Sequence, residues 1–524
     1  MIPTPVLIAF IASLVFALAT LPLFSRLALR IGLVDLPDNS RKLHKSAIPM
    51  VGGLTVFSAS IVVIFCTLGY YVDTLRFRPH DGLELTGLAV GALLLLLIGL
   101  ADDLWVIRGR QKLLGQIVCC GVLIFCGFQF DKVVFAGMTI NFGDLGFIVV
   151  LGWMLVAINS VNLLDGADGF AGTIGIVMSL ALGVMAVYQG KIVDAVICVS
   201  LAGALIGFLR YNFPPAKVFL GDSGSMLIGF MLGAMAVRCA FKQSAAYAFF
   251  APVALLAIPL LDTGAAIVRR RLMGRSIYTV DRGHLHHRLA KQGYGPRISL
   301  LWVALLCTMT AVGGVLALIN RQSEYAIASI VIVVLVLFFA RIFGLAEFRL
   351  VSNKAMSIGR SFIRGVDKNK THVQSAVHVQ GSRDWKEIWE QVCQFADEHE
   401  LNELTLDLNV PWIHESFHAT RRKAGVKKDS SAEWYALLPL VVDNRIFGRI
   451  EIAGSKDGKF THHQVVNDLL KITADLEQTL HDLSSTPSTI TNVAEIAAAS
   501  DSTEANGSDT DDSLLSASNG RAEE

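Results

Sequence analysis

Carboxylate and amide side chains gather at the end of one long apolar run of this chain. Asn162, Asp165 and Asp168 follow one another at intervals of three, which places them on one side of a helical turn. Gly166 and Gly169 lie among them and let a ligand approach the backbone. Oxygen ligands of this kind suit Mg²⁺, which takes one or two protein groups together with phosphate oxygens and water. The alternative interpretation is a solvated connection between two helices.

Two further acidic positions border apolar runs. Asp102 and Asp103 are adjacent, so their charges repel each other unless a metal ion or a basic group lies nearby. Asp222 lies in the segment Gly221-Asp222-Ser223 at the start of another apolar run. A helix N-cap is the simpler interpretation of Asp222 and a metal site is the functional one; the two roles are compatible.

A dense basic loop at 281–288 contains Arg282, His284, His286 and His287. The spacing allows a zinc site, although zinc usually takes Cys or carboxylate ligands as well. A solvated basic loop is a second alternative. Binding of a phosphate group by Arg and His suits a negatively charged substrate and is the interpretation we favour.

The composition predicts that membrane helices position these groups. The chain has 524 residues, of which 53% are hydrophobic and 17% are charged. A soluble domain has roughly 25% charged residues. The eight cysteines form no CxxC pair, which argues against a disulfide framework and a zinc site. The first apolar run has no basic segment before it, so we expect a transmembrane helix rather than a cleaved signal.

About 11 apolar segments approach the length of about 20 residues that a transmembrane helix needs. They lie near 4–25, 50–72, 84–101, 113–130, 146–163, 171–188, 193–210, 223–241, 246–268, 299–319 and 323–343. With the N-terminus outside, the inner loops carry most of the Lys and Arg residues, in agreement with the positive-inside rule. The same topology places all the polar clusters on the cytoplasmic side. It predicts one shared site there.

The chain therefore reads as an all-α polytopic membrane protein with a small α/β domain and a disordered C-terminal tail. We predict a membrane domain over 1–345, a linker over 346–371, a cytoplasmic α/β domain of unknown role over 372–483, and a disordered acidic tail over 484–524. An amphipathic helix near Trp385 and alternating strands near Leu404, Ala436 and Arg445 support the α/β domain. The Ser-, Thr-, Asp- and Glu-rich tail has almost no aromatic residues.

Two other classes of protein remain open at this point. An ion-coupled transporter also carries acidic residues near membrane helices, but it predicts carboxylates near the bilayer midplane. A sensor or scaffold anchored by the membrane domain predicts no need for so many polar motifs in the inner loops.

The ordered motifs resemble the polyprenyl-phosphate N-acetylhexosamine-1-phosphate transferase family, over about residues 1–345. This family includes the phospho-MurNAc-pentapeptide translocase. The resemblance is carried by Arg41-Lys42-Leu43-His44 with Ile48-Pro49-Met50-Val51-Gly52-Gly53, Gly99 to Asp103, Asn159 to Gly169, Val218 to Gly224, and Asp281 to His287. The forms of the first and last motifs resemble the UDP-N-acetylhexosamine branch, and the GlcNAc-1-phosphate transferases in particular.

The resemblance implies a role for each candidate residue. Asn162 and Asp222 would hold Mg²⁺, for which Mn²⁺ could substitute. Asp102, Asp103 and Asp165 would be catalytic. The implied substrate-binding residues are Asp168, Asn212, Phe219, Arg282, His284, His286, His287, Lys45 and Lys112. Among these, Phe219 is expected to stack on uracil, and Lys45 and Lys112 to face the acceptor phosphate.

The resemblance also implies the partners and the location. The substrates would be a UDP-N-acetylhexosamine and polyprenyl phosphate, most simply undecaprenyl phosphate, in a bacterial inner membrane. We expect the active site and the C-terminus in the cytoplasm, the lipid bilayer as a partner, no nucleic acid, and leave a homodimer open. The product would start a lipid-linked cell-envelope glycan.

Overall fold

The structure is a computed structural model of the whole chain, and it divides into two compact units, Met1–Ser352 and Asn353–Glu524. The described residues are 3–36, 47–75, 77–105, 107–128, 132–135, 138–241, 246–272, 283–340, 342, 372–380, 385–410, 415–423, 433–442, 445–456, 459–471 and 473. The predicted linker and acidic tail lie outside them.

The first unit is a bundle of helices with two short antiparallel strand pairs. The helices are α1 (Thr4–Ile31), α2 (Gly52–Tyr70), α3 (Asp81–Trp105), α4 (Gly109–Phe125), α5 (Gly146–Leu164), α6 (Phe170–Tyr188), α7 (Ile192–Asn212), α8 (Gly221–Ala236), α9 (Ala246–Leu255), α10 (Ala257–Leu272), α11 (Leu285–Lys291), α12 (Pro296–Asn320) and α13 (Glu324–Phe339). The strands are β1 (Val34–Asp35), β2 (Ile48–Pro49), β3 (Lys132–Phe135) and β4 (Met138–Asn141).

Seven helices of the described chain are long and apolar enough to cross a membrane, or eight if the bent pair α9–α10 is one span. The prediction of about 11 transmembrane helices is therefore not confirmed. The segment at 246–268 is broken by a 75° bend between α9 and α10. The helices at the other three segments are short: 17 residues in α4 and 16 in α8 and α13. Helix α8 continues directly as a five-residue π-helix, Val237–Phe241, which carries Arg238.

Helix α8 shows why an apolar run is a poor measure of a span. Every residue from Ser223 to Ala236 is buried in the first unit. Its apolar side chains pack against neighbouring helices, α3 and α5 above all. A run that is hydrophobic on all sides is expected for a helix enclosed by protein as well as for one enclosed by lipid.

Close backbone contacts bring the start of α8 against α2 and α3. The amide of Gly52 donates to the carbonyl of Phe219 at 3.0 Å, and the amide of Phe219 donates to the carbonyl of Pro49 at 2.9 Å. A Cβ atom at Gly99 of α3 would overlap the backbone of Ser223. The glycine at 99 therefore lets the last turns of α3 reach the segment that carries Asp222.

A second charged cluster lies at the other end of α3, α7 and α8. Asp81 and Glu84 at the start of α3, and Asp194 at the start of α7, all contact the guanidinium of Arg238, which is fully buried. Arg78 also pairs with Asp81 and with Asp194. The sequence analysis singles out none of these residues.

The second unit contains a five-stranded antiparallel sheet with the strand order β5-β7-β6-β9-β8. Its elements are β5 (His372–Gln380), α14 (Lys386–Glu398), β6 (Glu403–Val410), β7 (Glu415–Lys423), β8 (Glu433–Val442) and β9 (Arg445–Ser455), followed by helical residues at 462–471. Leu404, Leu406 and Leu408 alternate toward the core that α14 covers. The helix near Trp385 and three of the strands lie where the alternation predicts them; β5 and β7 do not follow from it.

Candidate functional site

Four helix ends of the first unit meet at one cluster of polar side chains. Asp102 and Asp103 lie in the last turn of α3, and Asn162 lies in the last turn of α5. Asp222 and Lys112 lie in the first turns of α8 and α4. Each apolar run ends at these residues, because a charged or amide side chain is costly farther inside an apolar bundle.

Lys112 bridges two carboxylates in this cluster. Its Nζ atom lies 2.5 Å from Asp222 Oδ2 and 3.0 Å from Asp102 Oδ2. The other oxygen of Asp222 accepts a hydrogen bond of 2.7 Å from Asn162 Nδ2, which also donates to Ser225 Oγ at 2.8 Å. The arrangement shows that a positive group fits among these oxygens.

Asp103 contacts the backbone at the start of α8. Its Oδ1 accepts a 2.8 Å hydrogen bond from the amide of Asp222, and its Oδ2 accepts one of 3.3 Å from the amide of Ser223. Gly221 has a positive φ of 74°, and a Cβ atom there would lie 2.6 Å from Asp103 Oδ2. Asp103 therefore satisfies amides that a helix N-terminus leaves without partners. In this way it fixes the position of Asp222.

Asp165 is the carboxylate of the cluster that lacks a partner. It follows the last residue of α5, and among the described residues the structure gives its side chain no hydrogen bond or ion pair. Burial raises the pKa of this carboxyl well above its usual value, and the charges of Asp222, Asp103 and Asp168 raise it further. An acid in this setting needs a proton or a nearby cation.

The side chains of Asp168 and Asn212 form hydrogen bonds with the backbone of neighbouring loops. Asp168 Oδ2 accepts a 2.8 Å hydrogen bond from the amide of Ala216. Asn212 is buried; its Oδ1 accepts from the amide of Gly169 and its Nδ2 donates to the carbonyl of Val218, each at 2.8 Å. These bonds join the Asn162–Asp168 turn to the loop that leads to Phe219. Contact of Asp168, Asn212 and Phe219 with a nucleotide stays a prediction.

The described part of the histidine loop, residues 283–288, reaches the same turn. A Cβ atom at Gly166 would lie 2.9 Å from His286 Nε2, and the ring of His286 meets Phe170 edge-on at 5.8 Å. His286 also lies beside His287, with ring centroids 4.1 Å apart. Burial lowers the pKa of His286 well below its usual value, and His287 and His284 lower it further. His286 is therefore neutral at pH 7.

The structure thus brings together most of the residues that the sequence singles out. Asp102, Asp103, Lys112, Asn162 and Asp222 are linked by direct contacts. Two predicted substrate-binding residues, Lys45 and Arg282, lie outside the described residues, as does the Arg41–His44 motif. Their roles stay predictions.

Three polar residues near the site were missed by sequence analysis. Gln116 is fully buried one turn beyond Lys112, and its Oε1 accepts a 2.7 Å hydrogen bond from Asn159 Nδ2. Ser225 accepts a hydrogen bond from Asn162. Asp262 of α10 contacts His284. A single polar residue within an apolar run is the one signal that could have identified Gln116 and Asp262.

The donor set is compatible with a divalent cation. The described residues contain no group of three His, Cys, Asp or Glu side chains that could hold a metal ion alone. Mg²⁺ does not require one, because it keeps water and takes phosphate oxygens with one or two carboxylates. The half-buried Asp165, which has no side-chain partner among the described residues, and the position of a Lys112 ammonium between Asp102 and Asp222 both fit such a cation.

Comparison with known proteins identifies relatives that share this helical region. The family model described as glycosyl transferase family 4 matches residues 85–240, from within α3 to just beyond the end of α8. A probable undecaprenyl-phosphate N-acetylglucosaminyl 1-phosphate transferase of Bacillus subtilis (strain 168) is 29% identical over 335 residues, which cover 64% of this chain and 90% of the relative.

Two further relatives have a higher sequence identity to this chain. A decaprenyl-phosphate N-acetylglucosaminephosphotransferase of Mycolicibacterium smegmatis is 36% identical, over 55% of this chain and 76% of the relative. An undecaprenyl-phosphate alpha-N-acetylglucosaminyl 1-phosphate transferase of Escherichia coli (strain K12) is 30% identical, over 58% of this chain and 82% of the relative. The chain is thus a multi-pass membrane protein that belongs to glycosyl transferase family 4, among the polyprenyl-phosphate N-acetylglucosamine-1-phosphate transferases.

Proposed function

We propose that this protein transfers N-acetylglucosamine-1-phosphate from UDP-N-acetylglucosamine to a polyprenyl phosphate. UMP is released, and a lipid-linked diphosphosugar forms. The observation that carries the proposal is the cluster of Asp102, Lys112, Asn162 and Asp222 at the ends of apolar helices, in a chain whose relatives are named for this reaction.

The reaction joins two anions. An oxygen of the polyprenyl phosphate attacks the β-phosphorus of the UDP-sugar, a new P–O bond forms, and the bond to the α-phosphate breaks. The departing α-phosphate takes the bridging oxygen and the electron pair and leaves as UMP. Repulsion between the negative groups is the main barrier, so positive groups at the site supply most of the catalysis.

We assign a separate role in this reaction to each residue of the site. Asp222 and Asn162, with Asp165 close by, would hold Mg²⁺ or Mn²⁺, which would neutralise charge on the diphosphate. Asp102 orients the acceptor phosphate or takes its proton, and Asp103 keeps α8 in place behind Asp222. Lys112 lies between Asp102 and Asp222 and can meet an oxygen of the acceptor phosphate.

Attack by the acceptor is proposed to be direct. Polyprenyl phosphate is already an anionic nucleophile, so a covalent phospho-aspartate would add a step without providing a better nucleophile. The nucleotide is expected near Asp168 and Phe219, and the diphosphate or sugar near His284, His286, His287 and Arg282. Trapping of a phosphorylated Asp102 or Asp165 during turnover would overturn the direct mechanism.

The cellular location and the identity of the acceptor are part of the same proposal. Undecaprenyl phosphate in a bacterial inner membrane is the simplest acceptor, with the site and the C-terminal unit in the cytoplasm. The transporter alternative gains no support, since the relatives are named as transferases and the carboxylates lie at helix ends.

The direct test is release of UMP by the purified protein in detergent or nanodiscs. UDP-GlcNAc and polyprenyl phosphate are supplied with Mg²⁺, and both UMP and the lipid product are quantified. We expect equal amounts of the two products, none without acceptor, and loss of both after chelation of the metal. UDP-GalNAc serves as the comparison donor. Folded protein that releases no UMP from either donor would contradict the proposal.

A further inference from the structure

Asp262 is a buried acid of α10 that contacts the histidine loop. It is 2% exposed, and its Oδ2 atom lies 2.7 Å from His284 Nδ1. Its Oδ1 atom accepts a 2.8 Å hydrogen bond from the amide of Leu285, the first residue of α11. One carboxylate thus contacts both the imidazole ring and the backbone beside it.

The contact with Asp262 fixes the tautomer of the His284 ring. A carboxylate can only accept hydrogen bonds, so Nδ1 must carry the proton that it donates to Asp262. The Nε2 atom on the opposite edge of the ring has no protein partner among the described residues. A carboxylate that receives one ring nitrogen of a histidine commonly serves to aim the other nitrogen at a ligand.

The His284 ring lies in a row beside the carboxylate turn. It is parallel to the ring of His286, with centroids 6.1 Å apart, and His286 packs against Gly166 next to Asp165. Helix α10 supports the loop at a second point two turns later, where the guanidinium of Arg269 packs on Gly283. The loop is therefore held by α10 on one side and by the Asn162–Asp168 turn on the other.

We infer that Asp262 is a positioning residue for the donor substrate, which it serves through His284. It presents His284 Nε2 to a phosphate oxygen of the nucleotide sugar. In the doubly protonated form both nitrogens donate, Nδ1 to Asp262 and Nε2 to the anionic oxygen. The inference rests on the proposed function and adds to it a carboxylate that touches neither substrate.

Asp262→Asn tests this role with little change in volume. The amide oxygen can still accept from the amide of Leu285, while the amide nitrogen now donates toward His284 and excludes a proton on Nδ1. His284 can then donate from Nε2 only as a neutral ring, and the charge-assisted hydrogen bond to the phosphate oxygen is lost. We expect kcat/KM for UDP-GlcNAc to fall about 10- to 100-fold, the range typical of residues that orient a functional histidine. The KM for polyprenyl phosphate should stay unchanged. Asp73→Asn, at an exposed loop position, is the matched control.

A double-mutant cycle separates positioning from helix capping. If Asp262 acts through His284, Asp262→Asn should cost no more than about two-fold in a His284→Ala background. Asp262→Glu, which keeps the acceptor, should recover part of the activity. Equal losses from Asp262→Asn with and without His284 would show that the acid only caps α11 and would overturn the inference.

The tautomer of His284 provides a measurement that does not depend on turnover. In protein labelled with ¹⁵N-histidine, the wild type should show a protonated Nδ1 at His284, and Asp262→Asn should shift that proton to Nε2. Unchanged ¹⁵N shifts in the variant would contradict the inference. Wild-type protein that shows the expected tautomer but releases no UMP would contradict the proposed function alone.

Discussion

The two ends of α3 carry clusters of charged side chains that differ in their charge balance. At one end, the carboxylates of Asp81, Glu84 and Asp194 meet Arg238, whose Nη2 lies 2.7 Å from Asp81 and 2.6 Å from Asp194. Arg78 adds a second guanidinium there. Each acid of that cluster therefore has an arginine partner.

The other end has a larger excess of acids over bases. The carboxylates of this site cluster are Asp102, Asp103, Asp165, Asp168 and Asp222. Among the described side chains in contact with them, Lys112 is the basic group that forms ion pairs. Buried acids that pair with arginine have a structural role. Acids in excess of the basic groups indicate a site that binds a cation, or that gains a proton, when its ligand is present.

Asp222→Ala gives the largest effect that this comparison predicts. We expect turnover to fall at least about 1000-fold, equivalent to about 4 kcal/mol, because the site loses its central cation ligand. Thermal unfolding should change little, because Lys112 keeps its ion pair with Asp102 and Asn162 keeps its hydrogen bond to Ser225. UMP release and unfolding are measured on the same preparation. Turnover within ten-fold of the wild type would remove Asp222 from the metal site.

At the end where each acid has an arginine partner, Arg238→Met is expected to lower stability and leave activity nearly unchanged. Removing the shared guanidinium leaves three buried acids without their main partner, which should cost about 3 kcal/mol of unfolding free energy. Activity per folded molecule should stay within about two-fold of the wild type. Unfolding of the wild type and of the variant in the same detergent measures the loss of stability. An unchanged midpoint would show that the cluster contributes nothing to stability.

Lys112→Met should have a smaller effect than Asp222→Ala. The variant keeps the length of the side chain and loses the charge that lies between Asp102 and Asp222, so turnover should fall about 100-fold. Lys112→Arg, which keeps the charge, is the control and should recover part of the loss. Equal activity in the Met and Arg variants would show that the charge has no role.

Gln116→Leu should have the smallest effect of the four. It leaves Asn159 Nδ2 without its side-chain partner and should cost about 1–2 kcal/mol in stability. Activity should drop less than ten-fold, because Gln116 lies one turn behind Lys112 and outside the cluster of carboxylates. Thermal unfolding and steady-state rates check both numbers. A larger loss of activity than in Lys112→Met would contradict this order.

The sequence predicts that these candidate residues lie together, because each of them lies where an apolar run ends. Asp102, Asn162 and Asp222 each border such a run, and a shared topology places these ends together. The motif resemblance adds the chemistry of phosphosugar transfer to positions that composition alone would leave as polar helix ends.

Features that depend on distant pairs did not follow from the sequence. Arg238 is separated from Asp81 by 157 positions, so its partner emerges only when α3 and α8 pack. Asp262 precedes His284 by 22 positions and reads as one acid in an apolar run. The bend between α9 and α10 was missed because both halves are apolar, and hydropathy does not record the direction of a helix.

Binding of Mn²⁺ tests most directly whether the acid excess at the site cluster exists to hold a cation. Electron paramagnetic resonance can count the ions bound to purified protein in the presence of UDP-GlcNAc, for the wild type, Asp222→Ala and the distant control Asp73→Asn. The account predicts one bound ion in the wild type and in the control, and loss of that ion in Asp222→Ala. Wild-type protein that binds no ion, or Asp222→Ala protein that binds it as tightly as the wild type, would contradict the account.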